Sequence, residues 1–317
     1  MPSLQIMDEV LTYRQVSKTD PTHTTHLRNL FARDMRKRFT ELALVVKKSV
    51  YDNDCFGLRP KRLFAYQLLP APNKAFAFPR SAEKVEAFMI WLQKQVDAGI
   101  IQVGVAKQLG TAVNSAWMNL YIKDSYKRGI IRARDEMRRG GMNVPSIEFS
   151  GGIDSVLGMA MHADRVGLLF SRVYTDLKGI TDAMGMQISR VLAQGIIDGD
   201  GMDLLARKLV ATINGTGMGD LAMTDTLGRY IPASRRAEML ARTEIIRAFH
   251  LATVQEFRNW GVYNIKVLAE WRTAGDDRVC AKCMELEGKI FTLDEIEPMI
   301  PLHPQCRCII LPYIEEH

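Results

Sequence analysis

Five side chains near the C-terminal end of the sequence have the types and spacing of metal ligands. Cys280 and Cys283 are separated by two residues, and after nineteen further residues come His303, Cys306 and Cys308. Zinc in proteins favours four nitrogen or sulfur ligands in a tetrahedral arrangement, which two closely spaced pairs of side chains can supply. A two-residue spacer lets both sulfurs of a pair reach one ion from a tight turn. The spacing therefore predicts a zinc site in this part of the chain.

The sequence leaves open which four of the five side chains bind the ion. The favoured set is Cys280, Cys283, His303 and Cys306, with Cys308 as a spare thiol that could replace Cys306, because both would face the same way in a strand. Four protein ligands close the coordination shell, and a closed shell is typical of structural zinc. The alternative is that the cysteines are buried thiols, or form a disulfide once the protein leaves the cell.

Hydrophobic periodicity predicts that helices make up most of the chain. A helix is expected to start at Asp20-Pro21-Thr22 and to end before Asn53, because apolar residues recur between them at spacings of three and four. Further helices are predicted from Ser81 to near Gly99, from Thr111 to Arg139, over 156–198 with one break near Leu177–Gly179, over 201–214 and over 235–260. Residues 1–20, the proline-containing stretch 59–80 and the glycine-rich stretch 215–219 are predicted to be irregular.

The pattern changes after Gly261. Short strands are predicted over 265–271, 288–292 and 306–311. The expected fold class is α+β, with mostly helical N-terminal and middle regions and a small C-terminal, β-containing, zinc-stabilised subdomain. A stretch rich in Gly, Pro and Ser over 140–155 predicts a division into domains 1–145 and 146–317, the second with helices over 156–260 and the β and zinc subdomain over 262–314.

Composition is that of an ordinary soluble globular protein, with 47% hydrophobic and 25% charged residues and a net charge of +6. No apolar run is long enough to cross a membrane, and the N-terminus lacks the apolar region of a secretory signal, so synthesis in a cytosol is expected. Two basic runs could contact phosphate or an acidic partner, although a solvated helix face is the simpler explanation. These runs are Arg33, Arg36, Lys37 and Arg38, and Arg132, Arg134, Arg138 and Arg139.

The segment Ser150-Gly151-Gly152-Ile153-Asp154-Ser155 resembles the phosphate loop of ATP pyrophosphatases. Such a loop must follow a buried strand of a parallel sheet and open a helix, so that its backbone amides can hold pyrophosphate. The only candidate strand is Ile147-Glu148-Phe149, and no buried strand is predicted downstream before residue 265. The favoured interpretation is therefore a glycine-rich linker whose Asp154 or Ser155 caps the next helix, with an ATP-using enzyme as the alternative.

An ordered set of motifs resembles one known family over about residues 160–314. The set consists of Ala241-Arg242-Thr243-Glu244, Ala248, the strand ending in Trp271, Asp277-Arg278-Val279-Cys280-x-x-Cys283, Leu286-x-Gly288-Lys289-x-Phe291 and His303-Pro304-x-Cys306-Arg307-Cys308. It is similar to the phage Mu F-like family, also called the head morphogenesis or minor head protein family. A less specific likeness to the leading region of such proteins is seen in Pro21-Thr22, Phe56-Gly57-Leu58 and residues 84–92.

The resemblance implies a structural protein of the virion and no enzymatic activity. Members of the family are low-copy proteins of the head interior that associate with the portal vertex. They act in procapsid assembly and in handling the DNA end during packaging or ejection. The expected partners are the portal protein, other head proteins (capsid or scaffold) and, nonspecifically, phage DNA, with region 1–145 docking on the portal or head. Synthesis in the host cytoplasm and a location in the virion are expected.

The motif residues Arg242, Thr243, Glu244, Asp277, Arg278 and Arg307 are expected to have structural roles. Arg242 and Glu244 would tie their helix to the β subdomain through Asp277 or Arg278, although they are two residues apart and point in different directions. The alternative is that Arg242, Glu244 and Asp277 form a catalytic pocket. His250, further along the same helix, is expected to lie on its surface.

Overall fold

The computed structural model describes residues 20–58, 81–102, 116–214, 231–261 and 267–314. Its elements in chain order are α1 (Thr25–Lys47), α2 (Ser81–Val96), α3 (Asn119–Arg139), α4 (Ile153–Leu157), α5 (Ala160–Ile197), α6 (Met202–Asn214), α7 (Ala233–Gly261), β1 (Val267–Arg272), α8 (Ala281–Met284), β2 (Ile290–Phe291), α9 (Leu293–Ile296) and β3 (Ile309–Ile314). Helices α1 and α2 each continue into a π-helical turn, over Lys48–Asp52 and Asp97–Ile101. The predicted α+β class, mostly helical with a small β-containing C-terminal region, is confirmed.

The predicted helices are found, with one correction in α5. The predicted break near Leu177–Gly179 is wrong, because α5 runs without interruption from Ala160 to Ile197. Its buried stripe passes through Val173, Leu177 and Thr181 at helical spacing. One glycine in a helix costs only about 1 kcal/mol relative to alanine, and burial of such a stripe outweighs that cost. The predicted start of α3 at Thr111 and the predicted irregular segments 1–19, 59–80 and 215–219 lie outside the described residues.

Helix α7 is the centre of the helical region. Its buried residues lie on several faces, as expected of a helix surrounded by others. The backbone of α3 approaches α7 closely at Gly129, where an added Cβ would lie 2.3 Å from the carbonyl oxygen of Phe249. The hydroxyl of Ser125 donates a hydrogen bond of 2.6 Å to the carbonyl of Ile245 beside this crossing. A residue without a side chain is therefore required at position 129.

A buried ionic network links α3, α5 and α7. Glu256 accepts hydrogen bonds from Arg134 Nε at 2.9 Å and from His162 Nε2 at 2.8 Å, and His162 Nδ1 lies 3.1 Å from the hydroxyl of Tyr126. Burial acts to raise the pKa of Glu256, but the hydrogen bonds from His162 and Arg134 hold it below its usual value. Arg134 also donates to Ser150 Oγ at 2.8 Å. The network therefore fixes the chain that precedes α4 against the helices.

The resemblance of Ser150–Ser155 to a phosphate loop has no matching architecture. Residues 147–151 form turns and no strand, with Gly152 N–H donating to the carbonyl of Ile147. The described strands form one three-stranded sheet of order β2-β1-β3 in which both pairings are antiparallel. Ser155 Oγ donates back to the carbonyl of Gly151 at 2.8 Å. Within the described ranges, the parallel-sheet setting of an ATP pyrophosphatase is therefore not formed.

The sheet lies in the C-terminal subdomain and packs against α3 and α7. Strand β1 buries Val267, Ala269 and Trp271 on one face, and Trp271 pairs with Ile310 of β3. Strand β3 begins at Ile309, three residues later than predicted, so Cys306 and Cys308 precede it. Residues 265 and 266 of the predicted first strand lie outside the described residues.

Two hydrophobic cores organise the described residues. The first joins α1, α2 and α3 to α5, α6 and α7, and so includes residues on both sides of position 145. The second joins α3 and α7 to the C-terminal subdomain and contains Trp271, Cys283, Cys306 and Cys308. The division into domains 1–145 and 146–317 stays a prediction. Among the described residues, no helix has the length and apolarity needed to cross a bilayer.

Candidate metal centre

The first pair of candidate ligands lies on a short helical turn after β1. Cys280 has an extended backbone conformation and immediately precedes α8, which contains Cys283. The N–H of Met284 donates to the carbonyl of Cys280 at 3.0 Å and closes the turn. Gly275, upstream, has a φ of +66°, which glycine adopts without a steric penalty. The two-residue spacer thus places both sulfurs on one side of a single turn, as predicted.

The second group lies on a tight turn before β3. The N–H of Cys306 donates to the carbonyl of His303 at 3.1 Å. Pro304 occupies the second position of this turn, and Gln305 has a φ of +62° at the third. Proline followed by a residue with positive φ is the pattern of a type II turn. The turn brings the side chain of His303 towards the Cys280–Cys283 pair.

His303 presents its Nε2 atom to two sulfurs. Nε2 lies 3.4 Å from Cys280 Sγ and 3.3 Å from Cys283 Sγ. The other ring nitrogen, Nδ1, lies 2.9 Å from the carbonyl oxygen of Pro304. A carbonyl oxygen can only accept a hydrogen bond, so Nδ1 carries a proton, and in the neutral ring the lone pair of Nε2 faces the sulfurs. This is the orientation that a metal-ligating histidine needs.

The five candidate ligands form two overlapping groups that share Cys283. Cys280, Cys283 and His303 place their ligand atoms within 4.8 Å of one another, and so do Cys283, Cys306 and Cys308. A cavity of about 20 Å³ lies between the two turns, and its walls include Cys280, Cys283, His303 and Cys308. This volume fits about one water molecule, and hence one ion. All five cysteines of the chain are free thiols. The cluster could therefore hold a metal ion, and Cys306 and Cys308 remain alternatives for the fourth ligand.

The electrostatics of the three central thiols are coupled. A hydrogen bond from the Cys308 thiol lowers the pKa of Cys306 to about 5. Burial, and then the charge on Cys306, raise the pKa of Cys283 to about 12. Of these three thiols, Cys306 therefore ionises most readily. Cys283 needs a nearby positive charge to form a thiolate near pH 7. A divalent cation between them would supply that charge, since thiolates and not thiols bind metals.

Asp276, and not the predicted Asp277, joins the turn that carries Cys280 and Cys283 to the turn that carries His303 and Cys306. Arg307 forms a two-pronged ion pair with Asp276, with N–O distances of 2.6 and 2.7 Å. Arg278 also bonds to Asp276, at 2.8 Å. Asp277, which the sequence favoured, is exposed. Gly275, immediately before Asp276, has a left-handed backbone conformation.

The Arg242-Thr243-Glu244 stretch does contact the C-terminal subdomain, as predicted, but the contact is made by Thr243 and not by Arg242 or Glu244. The N–H of Gln305 donates to Thr243 Oγ1 at 3.1 Å. Glu244 is buried and pairs instead with Arg172 of α5 at 3.5 Å and with Arg247 at 3.0 Å. The predicted contact of Arg242 and Glu244 with Asp277 or Arg278 is therefore wrong, because neighbouring positions on a helix face different partners.

Half-buried Arg242 contributes through electrostatics. It is one of three arginines, with Arg278 and Arg307, whose positive charges act with burial to lower the pKa of Arg28, while Asp20 opposes them. The catalytic grouping of Arg242, Glu244 and Asp277 is not assembled, since Glu244 faces α5.

His250 was expected on the helix surface, and that prediction is wrong. The side chain is buried between α7 and α9, and its Nε2 donates to the carbonyl oxygen of Ile296 at 3.1 Å. Burial lowers the pKa of His250 to about 4, so the ring is neutral at pH 7. Sequence reasoning missed Asp276 and Gln305 altogether. For Gln305 the only sequence signal was its place after Pro304 in a tight turn.

The residues of the first basic run have different environments. Arg36 makes a two-pronged ion pair with Glu238, at 2.8 and 2.6 Å, and Arg38 lies 4.0 Å above the ring of Trp117. Arg33 and Lys37 are exposed. Contact with DNA or a partner therefore stays a prediction.

In the second basic run, Arg132 and Arg134 are buried. Arg132 bonds to the carbonyl of Pro21 and Arg134 to Glu256. Arg138 and Arg139 pair with acidic residues of their own helix. The solvated-face interpretation therefore fails for Arg132 and Arg134, which hold the helices together.

Comparison with protein families gives a match to part of the chain. Residues 186–311 match the profile of a family described as Phage Mu protein F like protein. The comparisons with curated proteins and with solved structures gave no match. The matched region begins within α5, later than the resemblance at 160 suggested, and ends in β3. It contains all five candidate metal ligands together with Thr243, Asp276 and Arg307. Over residues 186–311, the chain is therefore similar to the phage Mu F-like family.

Proposed function

We propose that this chain is a portal-associated internal component of the phage head. It acts in procapsid assembly and in handling the DNA end during packaging or ejection. It is made in the host cytoplasm and incorporated at the portal vertex or in the head interior. Its partners are the portal protein and other head proteins, either capsid or scaffold. The observation that carries the proposal is the family match, which spans α6, α7, β1 and β2 and ends in β3.

The proposal includes one structural zinc ion in the C-terminal subdomain, residues 267–314, hereafter the knob. Two turns present four sulfurs and one imidazole, and Cys280, Cys283, Cys308 and His303 line a cavity the size of one ion. A soft, sulfur-rich set with one imidazole nitrogen suits zinc, and four protein ligands leave no open position for a substrate. The strands of the knob have only two to six residues each, so a metal would add stability that so small a sheet lacks.

The proposed role is structural and not enzymatic. The buried cluster with the strongest resemblance to a catalytic site is Glu256 with His162, Tyr126 and Arg134. Each of these side chains is at most 2% exposed, and each bonds to another protein group. A substrate has no access to such a cluster, which supports a role in holding three helices together.

Co-purification with the portal protein tests this function. The full-length chain carries an affinity tag and is co-expressed with the portal protein of the same phage. We expect the two to elute together by size exclusion, and quantitative mass spectrometry of purified heads to find the chain at low copy number relative to the major capsid protein. A chain that elutes free of the portal and is missing from heads contradicts the proposal.

Nonspecific contact with phage DNA is the second part of the proposal, supported by the exposed side chains of Arg33 and Lys37 on α1. The double variant Arg33→Gln/Lys37→Gln should bind a 30-base-pair duplex more weakly and with a smaller salt dependence, because fewer counterions are released. The matched control is Lys178→Gln/Arg207→Gln, which removes two charges from α5 and α6. An equal loss of DNA affinity in both variants would mean that binding depends on net charge alone and that α1 carries no DNA-binding site.

A further inference from the structure

The two ligand turns of the knob are cross-linked by a pair of side chains that do not themselves resemble metal ligands. Arg307 lies between Cys306 and Cys308 on the second turn, and Asp276 lies four residues before Cys280 on the first. Both terminal nitrogens of Arg307 donate to Asp276, Nη2 to Oδ1 at 2.6 Å and Nη1 to Oδ2 at 2.7 Å. The two side chains are 14% and 13% exposed. This two-pronged geometry fixes orientation as well as distance.

Asp276 is also held rigidly to its own turn. Its Oδ1 accepts from the backbone N–H of Arg278 at 3.2 Å, and its Oδ2 accepts from Arg278 Nη2 at 2.8 Å. Its backbone carbonyl accepts from the N–H of Val279 at 3.1 Å. The carboxylate therefore has a fixed position relative to Cys280, and Arg307 transmits that position to the second turn.

Metal affinity depends on how much order the ligands must acquire on binding. The two ligand turns are separated by β2 and α9, so the metal must bring together two distant parts of the chain. Conformational entropy opposes that step, and contacts that already join the turns in the metal-free protein reduce its cost. Groups that orient metal ligands without touching the ion commonly change metal affinity by about 10–100-fold.

We propose that Asp276 and Arg307 are positioning residues that hold the two ligand turns in register before the metal binds. The inference rests on the zinc site of the proposed function. The ion, once bound, joins the turns by itself, so the pair matters most in the metal-free state.

A competing explanation is that Arg307 balances the negative charge of the thiolates. The two explanations give opposite signs for one substitution. Asp276→Asn removes the carboxylate that pairs with Arg307 but leaves the positive charge of Arg307 beside the cysteine cluster. If Arg307 only balanced charge, Asp276→Asn would leave zinc affinity unchanged or increase it. If the pair positions the turns, the same substitution weakens zinc binding.

The experiment measures zinc affinity of the full-length, metal-free protein by competition with a chromophoric chelator. We expect Asp276→Asn to weaken binding by about 10–100-fold. The control is Asp277→Asn, which removes the adjacent, exposed carboxylate and should change affinity less than about twofold, as expected for a surface residue. The cobalt-substituted protein should give the same absorption spectrum in Asp276→Asn as in the wild type, because the ligands are unchanged.

A double-mutant cycle separates a pair from two independent effects. Arg307→Lys keeps the charge but loses the two-pronged geometry, so it should weaken binding in the same direction as Asp276→Asn. The double variant should be little worse than either single variant, because each already breaks the pair. If Asp276→Asn does not fold, the milder Arg307→Lys variant still gives the sign of the effect.

The outcomes separate this inference from the proposed zinc site. Wild-type protein that binds no zinc overturns the site itself. If Asp276→Asn and Arg307→Lys bind zinc as tightly as the wild type does, only the positioning role is overturned. Equal losses in Asp277→Asn and Asp276→Asn, or additive losses in the double variant, also overturn it.

Discussion

The backbone N–H of Gln305 donates a hydrogen bond of 3.1 Å to the hydroxyl oxygen of Thr243, whose own proton goes to the carbonyl of Met239 at 2.7 Å. This contact joins the tip of the turn that carries His303 and Cys306 to the middle of α7. The second ligand turn is thus held from two sides, by Thr243 of α7 and by Asp276 of the first turn.

Thr243→Val should loosen the knob while leaving the helical region intact. Valine has nearly the same shape as threonine but cannot accept the Gln305 N–H, and a hydrogen bond of this kind contributes about 1 kcal/mol. We expect faster proteolytic cleavage within the knob and a lower free energy of unfolding. Thr243→Ser keeps the hydroxyl and is the control. Identical cleavage of the valine and serine variants would mean that the hydrogen bond contributes nothing.

Removal of the metal should loosen the knob more than Thr243→Val does, while the helical region again stays intact. Wild-type protein should contain about one equivalent of zinc, and Cys283→Ser should contain almost none, because Cys283 belongs to both ligand groups. The knob should then become sensitive to protease, whereas α1 to α6 persist, since the first core contains no sulfur of the cluster. The measurements are metal analysis and limited proteolysis.

Cys55→Ser is the matched control for this experiment. Cys55 is a buried cysteine of the first core, remote from the cluster, so its replacement should leave the zinc content unchanged. Less than about half an equivalent of zinc in the wild type, with the four clustered thiols free, would contradict a structural metal.

His250 should make stability depend on pH. Burial lowers its folded-state pKa to about 4 from the ordinary 6.5, so the unfolded chain binds a proton that the folded chain refuses. Stability is therefore complete above the unfolded pKa and falls as the pH drops from 6.5 towards 4. Between pH 7 and pH 5 this group should account for a loss of about 2 kcal/mol.

The variant His250→Gln isolates this contribution. Glutamine can still donate to the carbonyl of Ile296 but does not titrate. Urea unfolding at pH 7 and pH 5 should show a smaller loss of stability in the variant than in the wild type. Metal release at low pH affects both proteins and cancels in the comparison. Equal losses would show that His250 is not the titrating group.

The sequence predicted which cysteine and histidine side chains lie together, but it did not predict the residues that hold their turns in place. Short spacings between cysteine and histidine residues indicate turns that place their side chains close together. The five candidate side chains accordingly lie in two overlapping groups. Asp276 and Asp277 are adjacent and carry the same carboxylate, so the sequence does not distinguish the one that pairs with Arg307, which is Asp276. The contribution of Gln305 comes from its backbone N–H, which no side-chain pattern records.

The helices were predictable because their apolar stripes are long. Helix α1 buries Leu27, Phe31 and Met35 at the spacing that the sequence shows. No sequence pattern indicates that α9 covers His250, because that contact depends on how the knob packs on α7. The break predicted in α5 failed for a related reason, since the effect of a glycine depends on whether its neighbours are packed.

Two glycine-to-alanine substitutions should have opposite effects on stability. Gly129→Ala places a Cβ 2.3 Å from the carbonyl oxygen of Phe249 and 2.7 Å from Cβ of Ala252, so α3 and α7 must separate, at a cost of roughly 1–3 kcal/mol. Gly179→Ala places its Cβ in open space and should stabilise α5 by roughly 0.5–1 kcal/mol through helix propensity. Urea unfolding of both variants gives the two signs. If α5 were interrupted near Gly179, alanine there would not increase stability. A destabilised Gly179→Ala variant would therefore favour the break that the sequence predicted over a continuous α5.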